Sequence, residues 1–535
     1  MAEQSTQERM IPVRYDERGN PYWESRMSPP DDSVGVCHIV PDRIVPVIFV
    51  PGVMGSNLRS SGEGRRWRMD SVWTALSWIW ADAKERKRSL RPETMEVDDG
   101  GKVQRKMSVP REELRRRGWG EIAAMSYSAA LRWLEENLND YENCRDGVRV
   151  KLMEQALGAE LGEATLTEDE VRLSYRYRFP VHACGYNWLD DNARSALRLG
   201  ERIDQVLMRY RNEGKRCERV ILVTHSMGGL VARYCSEVLG YRDKIYGIVH
   251  GVMPAIGAAA VYRRMKSGTE GGWAAAQVMG ADAAEMTAVL STAPGPLQLL
   301  PTPEYGNGWL RIRSGAQEVS LPRHGDPYSE IYTVRGKWWG LCDDELLNPL
   351  NEDQDINSRR LQLEKDWNNL EDLLLRTVRR FHLAIAQRYH PHTHAFCGDS
   401  EEKKAYGAVS WQQSIDEGKP LDEWMEGTAP HEWGRRRINQ LEEDRVVLHP
   451  HGNTQARFSI SGPDEAGDGT VPRRSGMAPK AHCRSFLRVA VEHEPAYNPE
   501  EGKTSLLALH FTVRAIVRIA QRVRETSTMM YDDLR

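Results

Sequence analysis

The sequence predicts an α/β fold with a mostly parallel central sheet and helices on both faces. Two observations carry that reading. Short β-rich apolar runs alternate with segments of helical periodicity from about residue 44 onward, which is the pattern of strands joined by crossover helices. The chemically distinctive motifs begin where those runs end, and parallel sheets place ligand sites beyond the carboxyl ends of their strands.

In chain order, residues 1–43 are polar, carry Pro29-Pro30-Asp31-Asp32, and read as an arm packed on the surface or recruiting a partner. Ile44-Val-Pro-Val-Ile-Phe-Val50 then forms a buried strand that runs into Pro51-Gly52. Val181 to Cys184 is a second strand, followed by a helix from about Asn192 to Arg211. Val220 to Val223 is a third, with a helix from about Gly228 to Leu239 after it, and Ile245 to Val249 is a fourth. A long helix is expected from about Asp355 to Arg388 and a strand at Thr393 to Cys397. A strand near Phe486 to Val491 and an amphipathic helix from about Ser505 to Arg524 close the chain.

A chain of 535 residues exceeds the size at which one core stops growing, so insertions or a cap are expected. We read residues 44–300 and 391–535 as two parts of one core, with a lid-like insertion at about 60–110 and another at about 399–460. Residues 301–390 read as a helical cap. Lys and Arg total 73 against 77 Asp and Glu, a net charge of −4, which gives no sign of a nucleic-acid partner. The eight cysteines stand singly, without Cys-x-x-Cys or zinc-type spacing, and read as reduced thiols. Residues Met1 to Asn20 lack the features of a secretory signal, and no run of about 18 apolar residues spans a bilayer. Synthesis in the cytoplasm without a cleavable signal is the expectation.

Val223-Thr-His-Ser-Met-Gly-Gly-Leu230 places a serine between an apolar strand and a helix, the arrangement of a nucleophile elbow. Ser226 is the candidate nucleophile. Gly228 and Gly229 leave room for the turn, whereas Thr224 stands where the usual pattern has its first glycine. A serine that merely caps a helix is the bland alternative. His225 is expected to pack on the far side of the turn.

Acyl transfer develops charge on a carbonyl oxygen, and paired backbone N–H groups hold it best. Met227, after the nucleophile, is one candidate donor. Val53 is the other, in the glycine-bearing loop Phe49-Val-Pro-Gly-Val-Met-Gly-Ser-Asn-Leu58. The order serine, acid, histidine confines the partners to positions after Ser226. Asp468, between two glycines in Gly467-Asp-Gly-Thr-Val-Pro472, is the candidate acid, and an ordinary Asp-Gly surface turn is its rival reading. His493, past the last strand and ahead of the last helix, is the candidate base, and His510 within that helix is set aside as structural. His390, His392 and His394 alternate as metal ligands on a strand would, but Pro391 interrupts them and no acidic or Cys partner is well spaced. No metal and no cofactor is assigned.

Together, Pro51-Gly-Val-Met-Gly-Ser-Asn-Leu58, Gly185-Tyr-Asn-Trp188, Thr224-His-Ser-Met-Gly-Gly229 and Gly467-Asp-Gly-Thr-Val-Pro472 resemble the lecithin:cholesterol acyltransferase-like lipases and acyltransferases of the α/β-hydrolase fold. Ala293-Pro-Gly-Pro-Leu-Gln-Leu-Leu-Pro301 and Phe396-Cys-Gly398 are similar too. The likeness covers about residues 44–300 and 390–525. Size, motif wording and the missing signal are most similar to bacterial lipases related to GPI-inositol deacylases, including antibacterial phospholipase effectors of type VI secretion. The resemblance implies ester substrates with long acyl chains, a mobile cap, and a triad of Ser226, Asp468 and His493. It also implies export by a signal-independent secretion system toward target-cell membranes, with an immunity protein or secretion machinery as partner. An acyltransferase, using an alcohol in place of water, stays open, as does a hydrolase-fold binding protein without catalysis. Trp67, Trp73, Trp78 and Trp80, with Leu76 and Ile79, precede the basic stretch Lys84 to Arg91 and can form either a lid at a membrane interface or a helix packing its tryptophans inward.

Overall fold

The computed structural model describes residues 8–17, 19–24, 33–37, 40–62, 66–70, 78, 81–103, 108–269, 280–353, 355–429, 436–437, 440–441, 444–451 and 454–531. Six strands build the central sheet: β1 (Val47–Val50), β2 (Val181–Ala183), β3 (Val220–His225), β4 (Ile245–Gly251), β5 (Thr393–Gly398) and β6 (Cys483–Val489). Their order is β6-β5-β4-β3-β1-β2 and every pairing is parallel. β1, β2, β3, β4 and β5 are buried along their whole length, as a parallel sheet covered on both faces requires.

Side chains leave the sheet alternately, so each strand feeds two cores. Val47 and Phe49 of β1 and Ile221 and Val223 of β3 pack with helices α1 (Ala124–Leu138) and α5 (Thr504–Ala520). Ile48, Val50, Val220 and Leu222 pack with α2 (Asn192–Asn212) and α3 (Gly228–Glu237). The chain lays β2 to one side of β1 and β3 to the other, so the strand order reverses between β1 and β3. A crevice opens at such a switch point, outside the carboxyl ends of the strands. The fold is that of an α/β hydrolase, as the sequence predicts.

Residues 301–390 differ from the helical cap expected of them. The helix α4 (Ile356–Asp372) is there, continued through a π-helical stretch Leu373–Val378 into Arg379–Ile385, but a β-hairpin Leu310–Ser314/Gln317–Leu321 precedes it. The hairpin joins Val409–Gln413, Gln455–Ile460 and Arg445–Leu448 in a five-stranded sheet. The physical reason lies in the period: Leu310, Ile312 and Ser314 face inward and Arg311 and Arg313 outward, a two-residue repeat closed by Gly315 at φ +52°. This sheet has its own core, with Trp309, Trp338, Trp411, Trp424 and Phe458 buried in it. Within the stretch 399–460, Val409–Gln413, Arg445–Leu448 and Gln455–Ile460 are therefore strands of this second sheet.

The N-terminal segment forms a small hairpin, Val13–Tyr15 against Pro21–Trp23, and pairs Glu8–Met10 with Val34–Val36. Tyr15 reaches the main core. Of the tryptophan-rich stretch, Trp73, Leu76, Ile79 and Trp80 lie outside the described residues. Trp67 and Trp78 take the inward alternative: both are buried, their rings 5.3 Å apart, with Trp188 5.1 Å from Trp67. Neither presents a face to a membrane, because desolvating two indoles against a third is the larger gain. Among the described residues no helix is long and apolar enough to cross a membrane.

Candidate active site

Ser226 leaves β3 at φ +52°, a left-handed conformation that a non-glycine residue adopts only where its surroundings enforce it. They do so here. The Ser226 N–H donates to the Gly251 carbonyl at 2.9 Å, and its own carbonyl accepts from Gly229 at 2.9 Å. A Cβ at Gly228 would lie 2.5 Å from the carbonyl oxygens of Val50 and Pro51, so the helix α3 approaches β1 as closely as only glycine permits. Thr224 fits without being glycine because its hydroxyl meets Nδ1 of buried His250 at 2.9 Å.

The structure brings the three residues expected to cooperate into one hydrogen-bonded line. Nε2 of His493 lies 2.8 Å from the Ser226 hydroxyl, and its Nδ1 lies 2.8 Å from an Asp468 carboxylate oxygen. The other carboxylate oxygen accepts from the N–H groups of Thr470 and Val471, at 2.9 and 2.6 Å, so the turn after Asp468 fixes the acid. The Asp468 side chain is almost fully buried, at 1% exposure, whereas His493 keeps 16%. Asp468 packs on the end of β5, where a Cβ on Gly398 would stand 2.4 Å from its Cβ. His493 follows β6, and its N–H donates to the Asp468 carbonyl at 2.9 Å. His510 sits elsewhere, on α5, against Gln155 and the Trp133 ring.

Val53 and Met227 flank the switch-point crevice, one in the loop after β1 and one directly after Ser226. The backbone N–H of neither donates to another group among the described residues. The loop carrying Val53 is held from three sides. Tyr186 donates its hydroxyl to the Pro51 carbonyl at 2.8 Å, and its N–H donates to Ser56 Oγ at 3.0 Å, which gives Gly185-Tyr-Asn-Trp188 its place in the site. Met54 takes φ +63°, and the Gly55 N–H turns back to the Gly52 carbonyl at 3.1 Å. A Cβ at Gly55 would meet the Tyr127 ring at 2.7 Å.

Two residues that the sequence did not place in the site stand beneath it. His225 packs under the elbow as expected, yet it is also bonded to Tyr127 and to the backbone of His493. Burial, and then the neighbouring charge of His493, push its pKa down to about 3, so the imidazole is neutral. Tyr127, on the first turn of α1, carries no local sequence signal because its partners are 75 and 98 positions away. The histidines 390, 392 and 394 do not converge on a common point: His394 pairs with the Ser485 hydroxyl, and Nδ1 of His390 accepts from the His392 N–H. Among the described residues no group of three His, Cys, Asp or Glu side chains can hold a metal ion.

The fold and this array define an α/β hydrolase with a Ser-His-Asp line at the carboxyl ends of its strands. Comparison with known proteins agrees with the resemblance read from the motifs. Residues 193–266 match the family model of a PGAP1-like alpha/beta domain. Among solved structures the chain is similar to a chain in the crystal structure of the Tle4–Tli4 complex, at 28% identity over 89% of this chain and 98% of that one, with a TM-score of 0.71. No curated protein sequence matches it.

Proposed function

We propose that the protein is a serine esterase acting on long-chain lipid esters, a phospholipase, with Ser226 as nucleophile, His493 as general base and acid, and Asp468 as the carboxylate that orients it. The observation that carries the reading is the continuous line Ser226–His493–Asp468, at 2.8 Å per link, ending on a strained nucleophile turn. His493 accepts the Ser226 proton as the hydroxyl oxygen attacks the ester carbonyl. The N–H groups of Val53 and Met227 hold the oxyanion of the tetrahedral intermediate. His493 then returns the proton to the departing alcohol, and the same base activates water to release the acid from the acyl-enzyme.

The lipid part of the reading, and export to target membranes, rest on the family resemblance of the motifs; the partner part, a cognate protein that binds this chain, rests on the likeness to a chain solved in the Tle4–Tli4 complex. Mass spectrometry of products from mixed phospholipids tests the chemistry. Wild-type protein is expected to release fatty acid and lysophospholipid, and Ser226→Ala to release neither while keeping the wild-type circular dichroism spectrum. Turnover retained in Ser226→Ala would overturn the assignment.

A further inference from the structure

Below the Ser226–His493–Asp468 line runs a second chain of hydrogen bonds with a fixed direction. The Gly52 N–H donates to the Tyr127 hydroxyl oxygen at 3.1 Å. That hydroxyl is 2.9 Å from Nδ1 of His225, and Nε2 of His225 is 2.8 Å from the backbone carbonyl of His493. A carbonyl only accepts, so Nε2 of His225 must donate to His493, and a neutral imidazole has one ring proton to give; with the Gly52 N–H already donating to the Tyr127 oxygen, the direction of the middle link follows. Nε2 of His225 carries the proton, Nδ1 is bare, and the Tyr127 O–H donates to it. All the groups are buried or half-buried, and each donor has its acceptor.

The chain ends on the two segments whose positions the chemistry needs. At one end it holds Gly52, whose carbonyl is held in turn by the Gly55 N–H at 3.1 Å. The Gly52 carbonyl and the Val53 N–H share one peptide plane, so fixing that carbonyl fixes the direction of the Val53 N–H. The start of α1 is tied to the same loop, since the Ala123 N–H donates to the Gly55 carbonyl at 2.9 Å. At the other end the chain holds the His493 carbonyl, while the His493 N–H is held by Asp468. Both backbone groups of the base are thereby occupied. Between the ends lies His225, the residue before the nucleophile, with its ring centroid 5.3 Å from that of His493. A Cβ at Gly52 would come within 2.9 Å of the His225 ring, so the two are in direct contact.

We propose that Tyr127 and His225 are positioning residues that set the oxyanion loop and the base against the nucleophile as one unit. The proposal rests on the ester-hydrolase reading above and adds to it a coupling between Val53 and His493 that runs beneath the substrate. Because His225 is neutral, its ring brings no second cation beside the imidazolium that His493 becomes during the reaction. Neither residue touches the reacting atoms, so their effect is on rate, through the geometry they hold, rather than on binding of the acyl chain.

The test is ester hydrolysis by Tyr127→Phe, His225→Gln and His225→Ala, with kcat expressed per active site titrated by a fluorophosphonate. Misfolding lowers the number of titrated sites and leaves kcat per site unchanged, so the two roles separate. Tyr127→Phe is expected to lose about 10- to 100-fold in kcat per titrated site with little change in KM, the scale of a small misplacement of catalytic groups. His225→Gln, which keeps a donor for the His493 carbonyl, is expected to retain about tenfold more kcat than His225→Ala. A Tyr127→Phe enzyme within about twofold of wild type per titrated site overturns the proposal. Equal rates for the Gln and Ala variants also overturn it, and they decide the matter if Tyr127→Phe does not fold. Wild-type protein that hydrolyses no ester overturns the ester-hydrolase reading, and the relay with it, before any variant is compared.

Discussion

Thr224 departs from the elbow pattern and Asp468 sits in a turn common on protein surfaces; at both residues the structure supplies what the local sequence lacked. For Thr224 it is a hydroxyl partner on the neighbouring strand, His250. For Asp468 it is burial, two N–H donors and the His493 imidazole. Chain order, which confines the acid and the base to positions after the nucleophile, together with the glycine-flanked turn at Asp468 and the place of His493 past the last strand, selected the two. Nothing local pointed to Tyr127, whose role depends on contacts made across the fold. Asp468→Asn keeps an oxygen for the Thr470 and Val471 N–H groups but presents an uncharged partner to Nδ1. It is expected to lower kcat by about 10³- to 10⁴-fold while the protein stays folded, measured by steady-state hydrolysis beside thermal unfolding.

β1 to β5 were legible as short runs rich in apolar residues, and β1, β2, β3 and β5 run into motifs singled out in the sequence; β6, which carries Arg484 and Arg488, was expected near Phe486 to Val491 and begins earlier, at Cys483. The second sheet was not legible. Its strands fall within the range of lengths in the main sheet, but they interleave polar or charged residues with apolar ones, and they pair across long separations, as Leu310 does with Val409. The segment around Trp67 and Trp78 shows the same limit, since tryptophan beside Lys and Arg describes an interfacial lid and a packed core equally well until the third indole, Trp188, is located. The glycines of α3 separate at this scale. A Cβ at Gly228 meets backbone carbonyls that cannot withdraw, whereas one at Gly229 meets Met253 Sδ at 2.4 Å, the flexible end of a side chain. Gly228→Ala is therefore expected to cost about 1–3 kcal/mol and to distort the elbow, and Gly229→Ala to cost less, with urea denaturation as the measurement. Equal losses at the two positions would contradict the backbone clash.

Several histidines are kept neutral inside the molecule. His225, His250, His382, His390 and His394 are each at most 4% exposed. Burial is the leading cause in every case and pushes His225, His250, His390 and His394 down to about 3 and His382 to about 4. Nearby guanidiniums add to it, Arg233 at His250, Arg522 at His390 and Arg514 at His394. In the unfolded chain the same imidazoles titrate near 6.5. Between those values and 6.5 the unfolded state binds more protons than the folded one, so stability rises with pH across that window. The contribution is complete above pH 6.5 and is lost as pH falls toward 3 to 4. Each such histidine adds as much as about 1.4 kcal/mol per pH unit to the slope. Thermal unfolding between pH 4 and 7.5 is expected to show a melting temperature nearly flat above about pH 7 and falling steeply below about 6. His394→Gln, on β5 and away from the Ser226 site, removes one of these protons and is expected to make that fall shallower. A melting temperature that stays level down to pH 4 would show that these imidazoles bind protons as readily in the folded protein as out of it.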